Sequence, residues 1–357
     1  MTEPMAVELH TCVSCGVTNC RKNRRHAVEA PPAERIAYLV DAAWPEYVEM
    51  IASARRTDDQ LIAPGLLGRS VPGRYRWPEP VAHRGTLATA NRHLAMRRVA
   101  RAAGGVRQRQ YLRHDRSVAF ALATAIDYRA RHLVVAQAWL PWLDEAGALG
   151  GRSFDVLMSR YPLAEIHRKL DEVAAETGAS TTIGDFRADP DLVAREAALL
   201  ARARRIVTPH HGIGGLFAER AIVLDWNCPA PRPRRSGERV AFLGPTITRQ
   251  RPDIVRGLAG GLKKPLIVFG DMLAGADFWE GVTIERRSLD PSWLDDIGTL
   301  LHPAALTHEP RRLLEAAASG VRIYATPECG LDPIDYLPFE DFRAGARSPA
   351  ARSAQAA

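Results

Sequence analysis

The sequence predicts an α/β protein with two domains, each built around a mainly parallel sheet. Its 357 residues are enough for two domains of about 150 residues each. In the region 239–325, short apolar strands alternate with amphipathic helices, which is the pattern of βαβ units. A stretch rich in proline and arginine, PAPRPRRSGE, precedes this region and is typical of a semi-rigid linker.

The composition is that of an ordered globular chain. Hydrophobic residues make up 46% and charged residues 25%, which excludes a wholly disordered protein. The net charge is +7, and only four of the 48 cations are lysines. No apolar run approaches the ~20 residues of a membrane span, and the first residues do not form a secretory signal pattern. We therefore expect a cytoplasmic protein, peripheral to the inner membrane if its basic half rests on anionic headgroups.

Composition shifts along the chain predict five segments. They are a cysteine-containing leader (1–30), an amino-terminal α/β domain (31–226), the linker (227–238), a carboxyl-terminal α/β domain (239–330) and a partly disordered tail (331–357).

The amino-terminal domain is predicted to open with a helix, because apolar residues between Ile36 and Val48 recur at roughly helical spacing. The Gly-, Pro- and Arg-rich segment 64–80 is expected to be a surface loop. After it, the patterns predict helices over 85–110, 163–176 and 190–205, a buried strand from His132, and short strands over 205–208 and 221–224.

In the carboxyl-terminal domain, the patterns predict strands over 239–243, 265–269, 282–286, 299–302 and 321–325, and helices over 252–262, 292–297 and 310–319. Ligands of parallel sheets bind where the strands end, near helix amino termini. The strand that ends at Gly244 is followed by Arg249 and Arg251. Glycine allows a close approach of the backbone to a ligand, and the two arginines can supply charge to a phosphate.

The second candidate strand end lies before Pro310, a residue type favoured in the first helical turn. Free backbone N–H groups and the positive end of the helix make such a position suitable for an anion. Glu315 lies about one and a half turns further along this helix and is expected to reach a ribose diol.

The segment HPAALTHEPRRLLEAAASGVRIYAT resembles the signature of the retaining group-one glycosyltransferases of the GT-B fold. The resemblance extends over about residues 195–330 and implies two Rossmann-like domains facing across a cleft. It implies a nucleotide-diphosphate sugar as donor and no metal or other cofactor for transfer. It also assigns Glu315 to the ribose.

The chain departs from this signature at three places. His308 stands seven residues before Glu315, where the family has a glutamate, and Glu309 is one residue off. Pro245 and Gln250 occupy the places of an arginine and a lysine. Either Arg249 or Arg251 takes over the phosphate-binding role of those two cations, or phosphate binding at this position is lost. We expect His308 or Glu309 near the sugar, and His210, in a Gly-rich loop after a strand, in the cleft.

These observations predict a hexosyltransferase-type glycosyltransferase that acts on a glycan or lipid-linked acceptor, in bacterial surface polysaccharide or glycoconjugate synthesis. The alternative is a catalytically silent GT-B-like protein that binds a nucleotide or a sugar. Nucleic acid is not an expected partner, because aromatic residues are only 7% and are not interleaved with the arginines.

The leader contains Cys12, Cys15 and Cys20. A Cys-x2-Cys pair suits zinc or an iron–sulfur cluster, with His10 or His26 as a further ligand of zinc. A redox-active pair and a set of reduced thiols are the alternatives.

Overall fold

The computed structural model describes residues 35–347, apart from residues 68, 71–75, 79, 101, 103, 179, 181, 185 and 276. The strands of this part of the chain form two sheets, and helices alternate with the strands. The predicted α/β fold class is therefore confirmed. The cysteine leader lies outside the described residues.

The first sheet has eight strands among the described residues, in the order β3-β2-β1-β5-β6-β7-β8, with β4 also paired to β2. Only the β2–β3 pair is antiparallel. The strands are β1 Arg35–Leu39, β2 Gln60–Leu66, β3 Arg69–Ser70, β4 Ala82–Arg84, β5 Ala130–Ala136, β6 Ser153–Leu157, β7 Arg205–Thr208 and β8 Ala221–Val223.

The second sheet is parallel throughout, and its six described strands follow the order β11-β10-β9-β12-β13-β14. They are β9 Arg239–Leu243, β10 Leu266–Phe269, β11 Ile284–Arg287, β12 Ile297–His302, β13 Arg322–Ala325 and β14 Leu337–Pro338. The chain changes direction across each sheet between β1 and β5 and between β9 and β12. Such switch points open a crevice at the carboxyl ends of the strands.

The α-helices are α1 Pro45–Ala54, α2 Thr86–Arg98, α3 Gly104–Ala123, α4 Leu140–Glu145, α5 Leu163–Thr177, α6 Pro190–Arg202, α7 His211–Gly214, α8 Pro252–Ala259, α9 Arg311–Ala318 and α10 Phe339–Arg347. Short 3-10 turns lie at Gln137–Trp139, Ala218–Arg220, Thr248–Gln250, Pro327–Cys329 and Pro333–Asp335.

The helix predicted between Ile36 and Val48 is wrong. The segment is strand β1, a connection, and then the start of α1. Residues 37–40 are all buried, because a central parallel strand is covered on both faces. Such a strand has a continuous apolar run, and over so few residues this run is indistinguishable by spacing from part of a helix.

Three other predictions also need correction. The single helix expected over 85–110 is two helices, α2 and α3, with Gly104 at the start of the second. The expected loop at 64–80 begins inside β2 and includes β3. Residues 292–297 form turns and the start of β12, and Asp296 has a left-handed φ of 64° that ends any helical run.

One hydrophobic cluster joins the two sheets. It contains Leu157 and Val207 of the first sheet and Leu314, Ile323 and Ala325 of the second domain, all nearly inaccessible to solvent. Full burial of such a side chain contributes about 1.5–3 kcal/mol. The domains are therefore held together by apolar packing as well as by polar contacts. No helix within the described part of the chain is long and apolar enough to cross a bilayer.

Candidate active site

Loops that follow strands of the two sheets meet at the carboxyl ends of those strands, in the region that we call the cleft. His210 follows β7, and its Nε2 donates a hydrogen bond of 2.9 Å to the carbonyl oxygen of Thr307, in the loop after β12. The backbone N–H of His211 donates to the carbonyl oxygen of Gly330, after β13, over 3.1 Å. These contacts place the loops at the switch point of the second sheet opposite the strand ends of the first.

His308 lies in the cleft on the side of the second domain. Its ring packs edge-on against Phe186, with centroids 5.3 Å apart, and its Nδ1 is buried without a hydrogen-bond partner. Burial, and then the positive charges of Arg160 and Arg249, lower the pKa of His308 to about 3. At neutral pH this side chain is an uncharged imidazole with a ring nitrogen available for a ligand.

Arg249 and Arg160 come from different domains, and the positive charge of each disfavours protonation of His308. The guanidinium of Arg249 lies over the ring of Phe186, 4.8 Å from its centroid. Arg160 follows β6, and its Nη2 donates to Glu196 over 2.8 Å. Glu196 is 1% exposed and also accepts a hydrogen bond from the backbone N–H of Leu163. A buried carboxylate thus holds Arg160 at the end of its strand.

Arg160 was not among the site residues predicted from sequence. The rule that picked out Gly244 also applies to it, since Ser159, Arg160 and Tyr161 follow a strand end. The run FDVLM before them is interrupted by Asp155, which pairs with Arg204, the residue before β7. Asp155 is a structural ion-pair partner within the sheet.

The structure separates Arg251 from Arg249. Arg251 has a left-handed φ of 55°, and its Nη2 lies 3.0 Å from Asp253 and 2.7 Å from Glu176 of α5. Burial opposes its charge, but these carboxylates raise the pKa of Arg251 above its usual value. Its charge is therefore balanced within the protein, and it links the two domains.

Gly244 packs directly against a neighbouring strand. A Cβ built at this position would lie 2.1 Å from the carbonyl oxygen of Phe269, at the end of β10. Only glycine fits here, and the close approach is to protein backbone. The peptide bond between Gly244 and Pro245 is cis.

Glu309 and Arg311 lie at the entrance of α9, within the segment that carries the family resemblance. Glu309 is exposed and accepts a bond of 3.2 Å from Nε of Arg311. The two terminal nitrogens of Arg311 bind the buried carboxylate of Glu46 on α1 at 2.6 and 2.7 Å. Pro310 lies one residue before α9 and not within its first turn. The entrance of α9 is therefore tied to the first domain.

Glu315 lies in the middle of α9 and is 6% exposed. It accepts a hydrogen bond of 2.8 Å from Nη1 of Arg312 and forms a close ion pair with Arg232 of the linker. The linker thus supplies a cation to this carboxylate. The structure does not bring Glu315 into contact with His308 or Arg249.

His210 is fully buried, and both of its ring nitrogens are engaged. Nδ1 accepts from the backbone N–H of Ile213 at 3.2 Å, so Nε2 carries the hydrogen that is donated to Thr307. Burial is the main cause that lowers the pKa of His210 to about 4. Through its bond to Thr307, the side chain of His210 holds the loop that carries His308.

A charged cluster that the sequence analysis did not identify lies at the end of β1. Arg92 of α2 is 2.9 Å from Asp115 of α3 and 3.5 Å from Asp41, which follows β1. Burial is the main cause that raises the pKa of Asp115 to about 6. Because Asp41 follows β1, this cluster lies at the end of the sheet where the switch point is.

Metal ligation is not evident where the structure is described: no group of three or more His, Cys, Asp or Glu residues there is arranged to hold an ion. Cys12, Cys15 and Cys20 lie outside that part of the chain, so their predicted metal site stays a prediction.

No protein-family model matches this chain, and no curated protein matches its sequence. Among solved structures, the chain is similar to a sucrose-phosphate synthase from Thermosynechococcus elongatus, with 10% identity over 88% of each chain and a TM-score of 0.50. It is also similar to CalG4, the calicheamicin glycosyltransferase, with 13% identity over 90% of this chain and 92% of that one and a TM-score of 0.39.

A third similar structure is HepE from Anabaena, in complex with UDP and glucose, with 11% identity over 82% of this chain and 80% of that one and a TM-score of 0.40. The likeness to sucrose-phosphate synthase, together with the two facing parallel sheets, shows that the fold is of the GT-B type.

Proposed function

We propose that this protein is a glycosyltransferase that moves a sugar from a nucleotide-diphosphate sugar to a glycan or lipid-linked acceptor. The observation that carries the proposal is that Phe186 packs against both His308 and the guanidinium of Arg249, while the positive charge of Arg160, from the first domain, acts on the same histidine. These groups lie at the strand ends of a GT-B fold, where parallel sheets bind their ligands. Surface polysaccharide or glycoconjugate synthesis is the setting that we propose.

Catalysis at this site is proposed to be electrostatic. Cleavage of the bond between the sugar and the diphosphate leaves negative charge on the phosphate oxygens, and preorganised cations at that point lower the barrier. Guanidinium groups bind phosphate in a bidentate manner and do not lose their proton. Arg249 is therefore proposed to hold the diphosphate, with Arg160 as a second cation that keeps its pair with the buried Glu196. Gly244 allows the chain after β9 to pack closely against the end of β10.

The uncharged His308 is proposed to hydrogen-bond the sugar or the leaving group through its unpartnered Nδ1. A neutral imidazole has one hydrogen-bond donor and one acceptor, so it can orient a hydroxyl group without carrying a charge. Glu309, which is exposed at the entrance of α9, is proposed to lie at the outer edge of the same site. His210 is proposed to act as a positioning residue through Thr307.

The nucleoside end is assigned to Glu315 and the linker. Glu315 already binds Arg312 and Arg232, so a ribose diol would share this carboxylate with the two cations. Arg251 is proposed to set the relative position of the domains through Glu176, because its charge is already balanced there.

The proposal is tested with purified protein and a panel of UDP- and GDP-sugars labelled in the sugar. Release or transfer of labelled sugar, lost in Arg160→Gln and in Arg249→Gln, is the expected result. Arg205→Gln is the control, since Arg205 is exposed at the opposite end of β7. Turnover that survives both cleft substitutions would contradict the proposed site.

A second candidate function is a catalytically silent protein that binds a nucleotide or a sugar. It is favoured by Pro245 and Gln250, which stand where the resembled family has cations, and by the balanced charge of Arg251. Tight binding of UDP or GDP in calorimetry, with no turnover on any acceptor, would support this candidate.

The amino-terminal cysteines are proposed to bind zinc or an iron–sulfur cluster, separately from sugar transfer. Elemental analysis of protein purified without oxygen tests this, with a Cys12→Ser, Cys15→Ser variant as control. Equal metal content in the two proteins would contradict it.

A further inference from the structure

Helix α2 exposes apolar side chains that nothing in the described structure covers. Leu87 is 80% exposed and Leu94 is 50% exposed. They are seven residues apart and so lie on the same face of the helix. Leu67, 87% exposed, is close to the start of α2, because its backbone N–H donates to Oγ1 of Thr86 over 3.3 Å. We name Leu67, Leu87 and Leu94 the leucine ridge.

Positive charge accompanies the leucine ridge. The 35 residues from 80 to 114 contain eight arginines and no aspartate or glutamate. Arg98 lies four residues after Leu94, on the same face, with Arg97 beside it, and both are exposed. Neither side chain has an ion-pair partner among the described residues. The ridge therefore combines protruding apolar side chains with unneutralised guanidinium groups.

The chemistry of this surface limits its partner. Exposure of three leucines to water is unfavourable, so an apolar partner is expected to cover them. A nucleic acid would bind the arginines but leave the leucines without apolar contact. Leu87, Leu94 and the two arginines lie along one helix, and that helix contains no Phe, Trp or Tyr that could stack on a base. An anionic bilayer meets both requirements, since leucine enters the acyl boundary and arginine binds lipid phosphate.

We infer that the leucine ridge, with Arg97 and Arg98, docks this protein on an anionic phospholipid surface. The inference deepens the proposed function, because a lipid-linked acceptor would then lie beside the cleft. The same helix carries Arg92 on its other side, where it binds Asp115 and Asp41 at the end of β1. Helix α2 therefore carries the ridge on one face and contacts the residues after β1 with another.

The experiment measures sedimentation of the purified full chain with vesicles, without any nucleotide sugar. One set of vesicles contains phosphatidylcholine and phosphatidylglycerol at about two to one, and the other contains phosphatidylcholine alone. We expect the protein to bind the anionic vesicles, with an affinity that falls as salt is raised. Arg97→Gln, Arg98→Gln is expected to weaken binding about 30-fold, and Leu87→Ser, Leu94→Ser to weaken it by at least about 10-fold.

Two matched controls accompany these variants. Ile334→Ser removes an isolated side chain, 87% exposed, on the second domain, and Arg205→Gln removes an exposed cation at the far end of the first sheet. Both controls are expected to bind vesicles like the unmodified protein. Thermal unfolding midpoints of all variants verify that they are folded.

The inference is overturned if the unmodified protein does not bind anionic vesicles, or if the ridge variants bind them as well as the controls do. Binding to RNA in place of vesicles would also overturn it. Because vesicle binding is measured without a donor, it succeeds or fails independently of sugar transfer. Transfer to a soluble acceptor that is unchanged in the ridge variants separates a docking role from a catalytic one.

Discussion

His210 of the first domain and Thr307 of the second are joined by a hydrogen bond of 2.9 Å from the imidazole Nε2 to the carbonyl oxygen. The direction of the bond is defined, because Nδ1 of the same ring accepts from the backbone N–H of Ile213. A neutral histidine satisfies both partners at once. Protonation of Nδ1 would break the bond from Ile213, so both contacts are held together only while the ring stays uncharged.

This arrangement predicts a pH dependence of stability. Burial lowers the pKa of His210 to about 4 from its ordinary 6.5, so the folded protein resists a proton that the unfolded chain accepts. The stabilisation is complete above pH 6.5 and is lost as the pH falls toward 4, by roughly 3 kcal/mol. Asparagine at this position keeps the cap on Ile213 but does not titrate.

Urea unfolding between pH 4 and 7.5 checks this prediction in the unmodified protein and in His210→Asn. The difference in free energy of unfolding between them is expected to shrink as the pH falls. His302 and His308, whose pKa values are also lowered, are present in both proteins and cancel in the comparison. A difference that does not change with pH would contradict the buried neutral state of His210.

Arg160 is expected to contribute strongly to nucleotide binding. Arg160→Gln removes one charged hydrogen-bonding partner of a phosphate, which typically contributes 1.5–3 kcal/mol, or about 10- to 100-fold in the dissociation constant for UDP. Titration calorimetry with UDP and with GDP measures this loss. Arg205→Gln is expected to bind as the unmodified protein does, and equal affinities of all three proteins would place the diphosphate elsewhere.

Gly330 and Gly281 form a matched pair for testing the contact between the domains. Both have a left-handed φ, of 80° and 79°, but a Cβ at Gly330 would lie 2.4 Å from the ring of His210, whereas nothing lies within 4 Å at Gly281. Gly281→Ala is expected to cost about 1 kcal/mol for backbone strain alone. Gly330→Ala is expected to cost at least about 2 kcal/mol more, because the imidazole must move.

Thermal and urea unfolding of the two alanine variants measure these costs. A further readout for Gly330→Ala is weaker UDP binding, since Thr307 and His308 lie on the loop that His210 holds. Equal destabilisation by the two substitutions would show that the contact between Gly330 and His210 is not tight.

Glu46 and Arg311 provide a second link between the domains. Burial opposes ionisation of Glu46, but hydrogen bonds from Arg311 and from the backbone of Asn227 outweigh it and lower the pKa of Glu46. The Arg311 guanidinium also lies over the rings of Trp44 and Trp226, 5.7 and 5.2 Å from their centroids. Glu46→Gln removes the buried carboxylate from the half-buried guanidinium of Arg311, which keeps Glu309, and is expected to destabilise the protein by about 1.5–3 kcal/mol.

A double-mutant cycle with Glu46→Gln and Arg311→Met measures the coupling between them. The double variant is expected to be more stable than Glu46→Gln alone, because the guanidinium left without Glu46 is removed. The contribution of Glu46 is present above pH 4.5 and is lost as the pH falls through its lowered pKa. Additive effects of the two substitutions would contradict a buried pair.

The alternation of strands and helices in the second domain could be predicted from sequence because each element is short and its boundaries are marked. Strand β9 ends at a glycine, α8 begins at Pro252, and α9 follows Pro310. The same reasoning failed at β1, where an apolar run buried on both faces has no strand-specific spacing. It also failed at 292–297, where a left-handed Asp296 ends the run.

Among the site residues, the sequence itself pointed to His308, Arg249, Glu315 and Gly244 by their places after strands and on a helix. The tertiary structure decided which of them share a site. Arg249 lies on the side of His308, while Arg251, two residues away, faces Glu176 and is neutralised. The number of residues between two positions in a turn does not determine which way each side chain points. No spacing rule therefore separates these two arginines.

The sequence alone determined the α/β class and the basic character of residues 80–114, because these depend on composition and local spacing. Only the tertiary structure assembled Arg160, Arg249 and His308, and only it placed Arg92 with Asp41 and Asp115. These groups come from segments far apart in the chain. Their charges interact because the sheets bring the strand ends together, and an interaction through space leaves no local pattern in the sequence.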